Sequence, residues 1–281
     1  MTALLGDVIA ALDARYDPAL AESWDAVGLV CGDPTEPVRR VLFAVDPTSA
    51  VVDEVVETGA DLLVTHHPLL LTPVHGVPAD DPKGRLVHRL IRAGAALFVA
   101  HTNADRAPDH GVNDALAAVL GLRDAVPLER AGSDPRAGLG RVGELAESMS
   151  LRAFARHAAA VLPETVGGVR AAGDPDRPVR RVAVCGGSGG SLLGAAAEAG
   201  ADVLLTSDLK HHPVSDALEM SGPSLCDVAH FASEWPWLPV AADVLSRDLS
   251  GRIEVAVSRR RTDPWGWHEG SRGHPAGVPA G

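Results

Sequence analysis

PVRRVLFAVDPTSAVVDEVVETGADLLVT, residues 37–65, returns without a gap at residues 178–206 as PVRRVAVCGGSGGSLLGAAAEAGADVLLT. An internal repeat constrains architecture before any local motif does. Both copies open on PVRRV and close on GAD, a leucine and a threonine. Between these ends the pattern is a short apolar strand, a turn rich in Pro, Gly and Ser, a helix of about ten residues, and a second apolar strand. Hydrophobicity in the strands is continuous, which predicts burial on both faces, as in parallel sheets covered by helices. A second match follows each copy: Val99-Ala100-His101-Thr102-Asn103-Ala104-Asp105 and Val228-Ala229-His230-Phe231-Ala232-Ser233-Glu234 share the form VAH-x-x-x-acid. The expected fold class is therefore α/β, with two related α/β lobes arising from the repeat and mainly sheets covered by helices. The lobes are expected over residues 1–127 and 128–262, joined by a charged, Gly- and Pro-containing connection at 123–140. Residues 263–281 read as a loose C-terminal tail.

Bulk properties exclude several classes. The 281 residues can bury a real core, and 46% hydrophobic with 22% charged residues is an ordinary globular composition. With 25 Lys+Arg against 37 Asp+Glu the net charge is −12, which argues against nucleic acid as the main partner. Cys31, Cys185 and Cys226 form no CxxC, so they support neither a disulfide framework nor a zinc ribbon. They fit buried thiols in a reducing cytoplasm. The N-terminus carries Asp7 and Asp13 and no basic segment, against a signal peptide. No apolar run reaches the roughly 18 residues of a membrane span. A cytoplasmic protein is expected.

In open α/β sheets functional groups gather beyond the carboxyl ends of strands. There the chain places His66 and His67, His101 and Asp105, and His230 and Glu234. This nitrogen- and oxygen-rich set, free of cysteine, suits iron, manganese, nickel, cobalt or zinc. It exceeds what one ion in an open catalytic site needs, which suggests two. Neighbouring side chains on an extended segment diverge, so His66 and His67 can serve different ions, and Pro68 keeps His67 extended. The bland alternative, a hydrogen-bonded structural histidine, is the reading for His75, His88, His110 and His157.

Three other segments carry paired readings. Cys185–Ser191, CGGSGGS, could cradle an anion on backbone N–H groups or form a tight turn. Ser207-Asp208-Leu209-Lys210-His211-His212 occupies the place of HHP in the second lobe, as substrate or proton-transfer groups or as a degenerate remnant of the repeat. Glu22–Leu29, ESWDAVGL, is either a loop anchored by Trp24 or a means of turning Asp25 toward the site.

Taken together, ESWDAVGLVCGDP (22–34), GADLLVTHHPL (59–69), AHTNAD (100–105), GVNDALAAVLGL (111–122), RVAVCGGSGGSLL (181–193), GADVLLTSDLKHH (200–212), DVAHFASE (227–234) and TDPW (262–265) resemble the NIF-three-like family (NGG-one-interacting factor three). Its members are dinuclear metal-centre proteins often labelled GTP cyclohydrolase I type two homologues. The resemblance implies a ring-shaped homohexamer with two divalent metal ions facing its cavity. The implied ligands are His66, His67, Asp105, His230 and Glu234, with Glu234 bridging, and His101 becomes a neighbour that orients them. Ser207 replaces the family's usual glycine and His211 a frequent tyrosine. Members often carry an inserted mid-chain domain, whereas this chain resembles the compact form. The expected function is metal-dependent hydrolysis of a small nucleotide-like or heterocyclic substrate, with His101 and His212 as proton-transfer groups. The alternative is a metal-binding or metal-delivery protein, or a partner-binding scaffold, without turnover.

Overall fold

The structure, a computed structural model, describes residues 2–270. It contains two mixed sheets covered by helices. The five-stranded sheet runs in the order Glu254–Val257, Arg40–Ala44, Leu62–Thr65, Ala96–Val99 and Gly28–Cys31, all parallel except the last pair. The six-stranded sheet runs Val169–Ala172, Ser224–Val228, Val203–Ser207, Pro178–Ser188, Arg141–Ser150 and Arg123–Val126. Its parallel centre comprises Pro178–Ser188, Val203–Ser207 and Ser224–Val228. Among the described residues no helix is long and apolar enough to cross a membrane.

The fold is consistent with the repeat, down to its register. In the first copy Val41 pairs with Leu62 across parallel strands, and in the second Val182 pairs with Val203. One Asp61 oxygen accepts from the backbone N–H groups of Arg39 and Arg40, and Asp202 does the same for Arg180 and Arg181. The aspartate of GAD thus satisfies the entry of the preceding strand, where an unmet donor would be costly. The helix between the strands differs. Ser49–Thr58 is capped by the Thr48 side chain and ends on Gly59 in the left-handed region (φ 62°). Its glycine-rich counterpart is a 3-10 turn at Gly190–Leu192 followed by the short helix Leu193–Glu198. All four residues of Leu62–Thr65 and all five of Val203–Ser207 are buried, as continuous hydrophobicity predicts.

The sheets do not divide at 127 and 262. Strand Arg123–Val126 pairs with Arg141–Ser150 and so belongs to the six-stranded sheet, although it falls within the expected first lobe. Glu254–Val257 lies beside Arg40–Ala44, although it falls within the expected second. The reason is apolar. Helix Trp237–Asp248 buries Trp237, Leu238, Ala241 and Leu245 against Tyr16, Phe43 and Val64 of the first core, carrying the following strand with it. The segment read as a connection also holds a small hairpin of Glu129–Arg130 and Gly138–Leu139. Residues 263–270 form no helix or strand, and the rest of the expected tail, 271–281, lies outside the described residues.

Two elements tie the halves together near the future site. Helix Val112–Val119 gives Val112 and Ala115 to the first core and Leu116 and Ala117 to the second. Beside it Arg141, 1% exposed, donates to Asp114 on that helix and to the carbonyls of Gly138, Gly140 and Ala107. A buried guanidinium survives only when its donors are met this fully.

Candidate metal centre

Residues just past the carboxyl ends of strands from both sheets meet at one place. His66 and His67 follow Leu62–Thr65. Each VAH-x-x-x-acid segment becomes a single helical turn directly after its strand: Thr102–Asp105 with His101 at its N-cap, and His230–Glu234. A spacing of four residues puts imidazole and carboxylate on one face of such a turn, which is the physical content of the motif.

The imidazole rings lie close: 5.0 Å between His66 and His67, 5.1 Å between His66 and His101, and 5.1 Å between His67 and His230. Glu234 sits among them. Its Oε1 is 2.9 Å from His230 Nε2 and 3.4 Å from His66 Nε2, and its Oε2 is 3.2 Å from His67 Nε2. Asp105 Oδ1 is 3.7 Å from His66 Nε2. Two trios bring donor atoms within 4.8 Å of one another: His66, His67 and His101, and His67, His230 and Glu234. His101, which the resemblance places beside the ligands, is thus also spaced to be one.

Each ring is fixed from behind. Nδ1 of His66 donates to the Ala100 carbonyl at 3.0 Å, of His67 to Asp46 at 2.7 Å, of His101 to Asp25 at 2.8 Å, and of His230 to Asp208 at 2.6 Å. Oxygen partners at Nδ1 set the tautomer and turn the Nε2 lone pair inward, the arrangement typical of histidines that hold metals. The supports are themselves supported: Thr262 donates to Asp46, and Asp25 accepts from the backbone N–H and hydroxyl of Thr102.

Burial sharpens the electrostatics. Desolvation pushes the Asp105 carboxyl up, with the Glu234 charge adding to the push. Burial would also raise Glu234, but the His67 and His66 rings outweigh it and hold its carboxyl well below the usual range. Burial alone would lower the histidines. The Glu234 carboxylate, with Asp46 at His67 and Asp208 at His230, overcomes it, taking His67 to about 11 and His230 to about 9. Asp25 behaves like Glu234, drawn down against burial by its bonds to His101 and Thr102.

The glycine loop is part of the same wall. Gly187 sits at φ 65°, and a Cβ there would fall 2.5 Å from Glu234 Oε1 and 3.0 Å from His230 Nε2. The backbone N–H groups of Gly186, Gly187 and Gly189 donate to Asn113, Ser233 and Thr206. With those three donors taken, this part of the loop packs as a close turn. The structure does not bring His212 into the cluster. It is exposed on the first turn of helix His211–Glu219, its ring 5.1 Å from that of His211. In ESWDAVGL the roles are the reverse of a loop anchored by tryptophan: the Asp25 side chain is 0% exposed and pins the loop, while Trp24 is 57% exposed. His88 and His157 bond the carbonyls of Val77 and Leu120, as structural histidines do.

Asp46 was not singled out from sequence, and Gly187 and Asp208 only as members of candidate segments with other roles. The signal was present in the alignment of the two copies, because Asp46 and Gly187 share one position of the repeat, as do His67 and Asp208. Every one of them follows or ends a parallel strand.

Fold and cluster together define an α/β protein of helix-covered sheets with a histidine and carboxylate cluster at its strand ends. The family described as Duf34/NIF3 (NGG1p interacting factor 3) matches residues 3–264, and the chain belongs to that family. A Streptomyces coelicolor relative named GTP cyclohydrolase 1 type 2 homolog is 52% identical over 273 residues, covering 95% of each chain. A Mycobacterium tuberculosis relative of the same name is 38% identical over 371 residues, covering 94% of this chain and 97% of its own. That span exceeds the 281 residues here, so the mycobacterial protein carries additional residues within it. Among solved structures, a Staphylococcus aureus protein superposes with a TM-score of 0.86 at 29% identity, covering 95% of this chain and all of that one. A Bacillus cereus protein related to NIF3 gives 0.84 at 25% identity, covering 94% and 99%.

Proposed function

We propose that the chain binds two divalent metal ions and is a metal-dependent hydrolase of a small nucleotide-like or heterocyclic substrate. The observation that carries the reading is the set of inward atoms with no hydrogen bond. His66 Nε2, Asp105 Oδ1 and Glu234 Oε2 are buried without a hydrogen-bond partner, although their neighbours lie 3.2–3.7 Å away. Leaving such atoms unmet is costly, and a cation satisfies nitrogen and carboxylate oxygen together. His66 and Asp105 would hold one ion and His67 and His230 the other, with the two oxygens of Glu234 shared. Bound divalent ions supply an acidified water and polarise the bond under attack. The chain's own part is to fix the rings by their Nδ1 bonds and to keep Asp105 and Glu234 shielded from solvent. His101, oriented by Asp25, is the group placed to move a proton. His212 has no such placement. The names of the relatives point to nucleotide-like or heterocyclic substrates, and a homohexamer with the centre facing its cavity is the assembly we expect.

The test is a screen of protein reconstituted with iron, manganese, nickel, cobalt or zinc against nucleotides, phosphoesters and cyclic amides. Turnover is expected, and a folded Glu234→Gln variant should lose it. No turnover with any metal, together with transfer of the ion to an apo-acceptor, would replace the hydrolase with a metal-delivery protein.

Chelation should expose the electrostatics of the ligand set. His67 and His230 have raised values, so their stabilising interaction with Glu234 is complete below the unfolded histidine value of roughly 6.5. It is lost as pH rises through about 9 for His230 and about 11 for His67. Chelated protein should therefore melt at progressively lower temperature across that window. A melting temperature that rises over the same window would contradict the ion-pairing around Glu234.

A further inference from the structure

We propose that Trp24 is the stacking platform for the flat ring of a heterocyclic substrate at this centre, an inference that deepens the hydrolase reading and rests on it. Trp24 leaves 57% of its surface in solvent, a large apolar exposure next to the cluster. The backbone on both sides of it is held by hydrogen bonds. The Glu22 N–H donates to the Thr102 hydroxyl at 2.9 Å, and the Glu22 side chain pairs with Arg106. Asp25 is bound to His101 and Thr102, the Ala26 N–H closes on Asp25 at 2.7 Å, and Gly28 enters the sheet opposite Val99. The loop is thus clamped onto the His101–Asp105 segment on both sides of an outward tryptophan.

The indole points to a ligand through its neighbour. Its centroid is 6.0 Å from the His101 ring, at 76° to it, and His101 is in turn 5.1 Å from His66 and 5.5 Å from His67. This edge-on contact leaves most of the indole uncovered. A planar ring laid on it would lie beside His101, the proton-moving group, and one imidazole away from the ligand set. Stacking suits any flat π-system and offers little to a phosphate, so Trp24 favours the heterocycle over the phosphate.

Zinc-reconstituted full-length protein separates this from the metal reading. Metal content is measured by mass spectrometry, and affinities for guanosine 5′-monophosphate and for ribose 5-phosphate, which lacks the base, by calorimetry. Trp24→Ala should weaken the guanosine nucleotide by roughly five- to a hundredfold, and Trp24→Phe by only a few fold. Ribose 5-phosphate affinity and metal content should stay at wild-type values in both. Equal nucleotide affinity in Trp24→Ala and wild type overturns the proposal, as does a wild type that binds the nucleotide no better than ribose 5-phosphate. A smaller oligomer in Trp24→Ala with unchanged nucleotide affinity also overturns it and assigns the indole to a subunit contact. If wild type takes up none of iron, manganese, nickel, cobalt and zinc but nucleotide binding still depends on Trp24, the metal reading fails and the stacking platform stands.

Discussion

Protein carrying His66→Ala together with His230→Ala is expected to emerge from purification with almost no bound transition metal, while its fold survives. Both rings face Glu234 Oε1, at 3.4 Å from His66 Nε2 and 2.9 Å from His230 Nε2, and under the proposed reading they serve different ions. Losing a partner that merely orients a ligand costs roughly 10–100-fold in metal affinity, so losing a ligand outright costs at least that at each ion. Both residues come from strand ends and not from the interior of a sheet, so the cores should tolerate the change. Plasma mass spectrometry of wild type and variant at equal concentration reads the result directly, with circular dichroism as the control for folding. Wild-type metal content in the double variant would remove the metal centre altogether.

Replacing Arg141 by methionine should lower stability by about 3–5 kcal/mol, the range found when one partner of a buried ion pair is removed. For a chain of this size that is a fall in melting temperature on the order of ten degrees. The side chain is 2% exposed, and its loss would leave Asp114 and the carbonyls of Gly138, Gly140 and Ala107 without their donor. The solvent-facing pair Arg247–Asp243, with side chains 64% and 67% exposed, should by contrast change stability by less than about 1 kcal/mol when broken. Melting curves of Arg141→Met and Asp243→Asn compare them, and similar values for the two would show that Arg141 is no buried pin. Because Ala107 and Asp114 follow Asp105 closely, Arg141→Met should also loosen the first-lobe carboxylate.

What could be read from the chain was whatever repeats or alternates locally. The α/β class followed from continuous apolar strands separated by turn-rich segments. The cluster of His66, His67, His101, Asp105, His230 and Glu234 followed from strand ends seen twice. Asp25 facing the site was one of two readings of its loop and Asp208 lay in a candidate segment, but the ring each support meets was hidden because the contacts are long-range: Asp25 reaches His101, Asp46 reaches His67, and Asp208 reaches His230. An aspartate after a strand is common, and only the fold says which ring it faces. The path of the C-terminal strand was hidden for the same reason. Its few residues carry no address, and its neighbour is chosen by the helix before it, through Trp237 and Leu245. Trp24 shows the limit of residue-type reasoning, since a tryptophan flanked by acids suggested a buried anchor, whereas the small acidic neighbour fills that place.

The returning strand Glu254–Val257 also bears on how the chain comes into being. Its parallel partner, Arg40–Ala44, leaves the ribosome more than two hundred residues earlier. Until the C-terminal strand is synthesised, that partner has an open edge of unpaired backbone groups, and until Trp237 emerges the first core lacks its largest side chain. The first half therefore cannot finish folding during translation on its own. Its returning strand, Glu254–Val257, follows every strand of the six-stranded sheet in the chain.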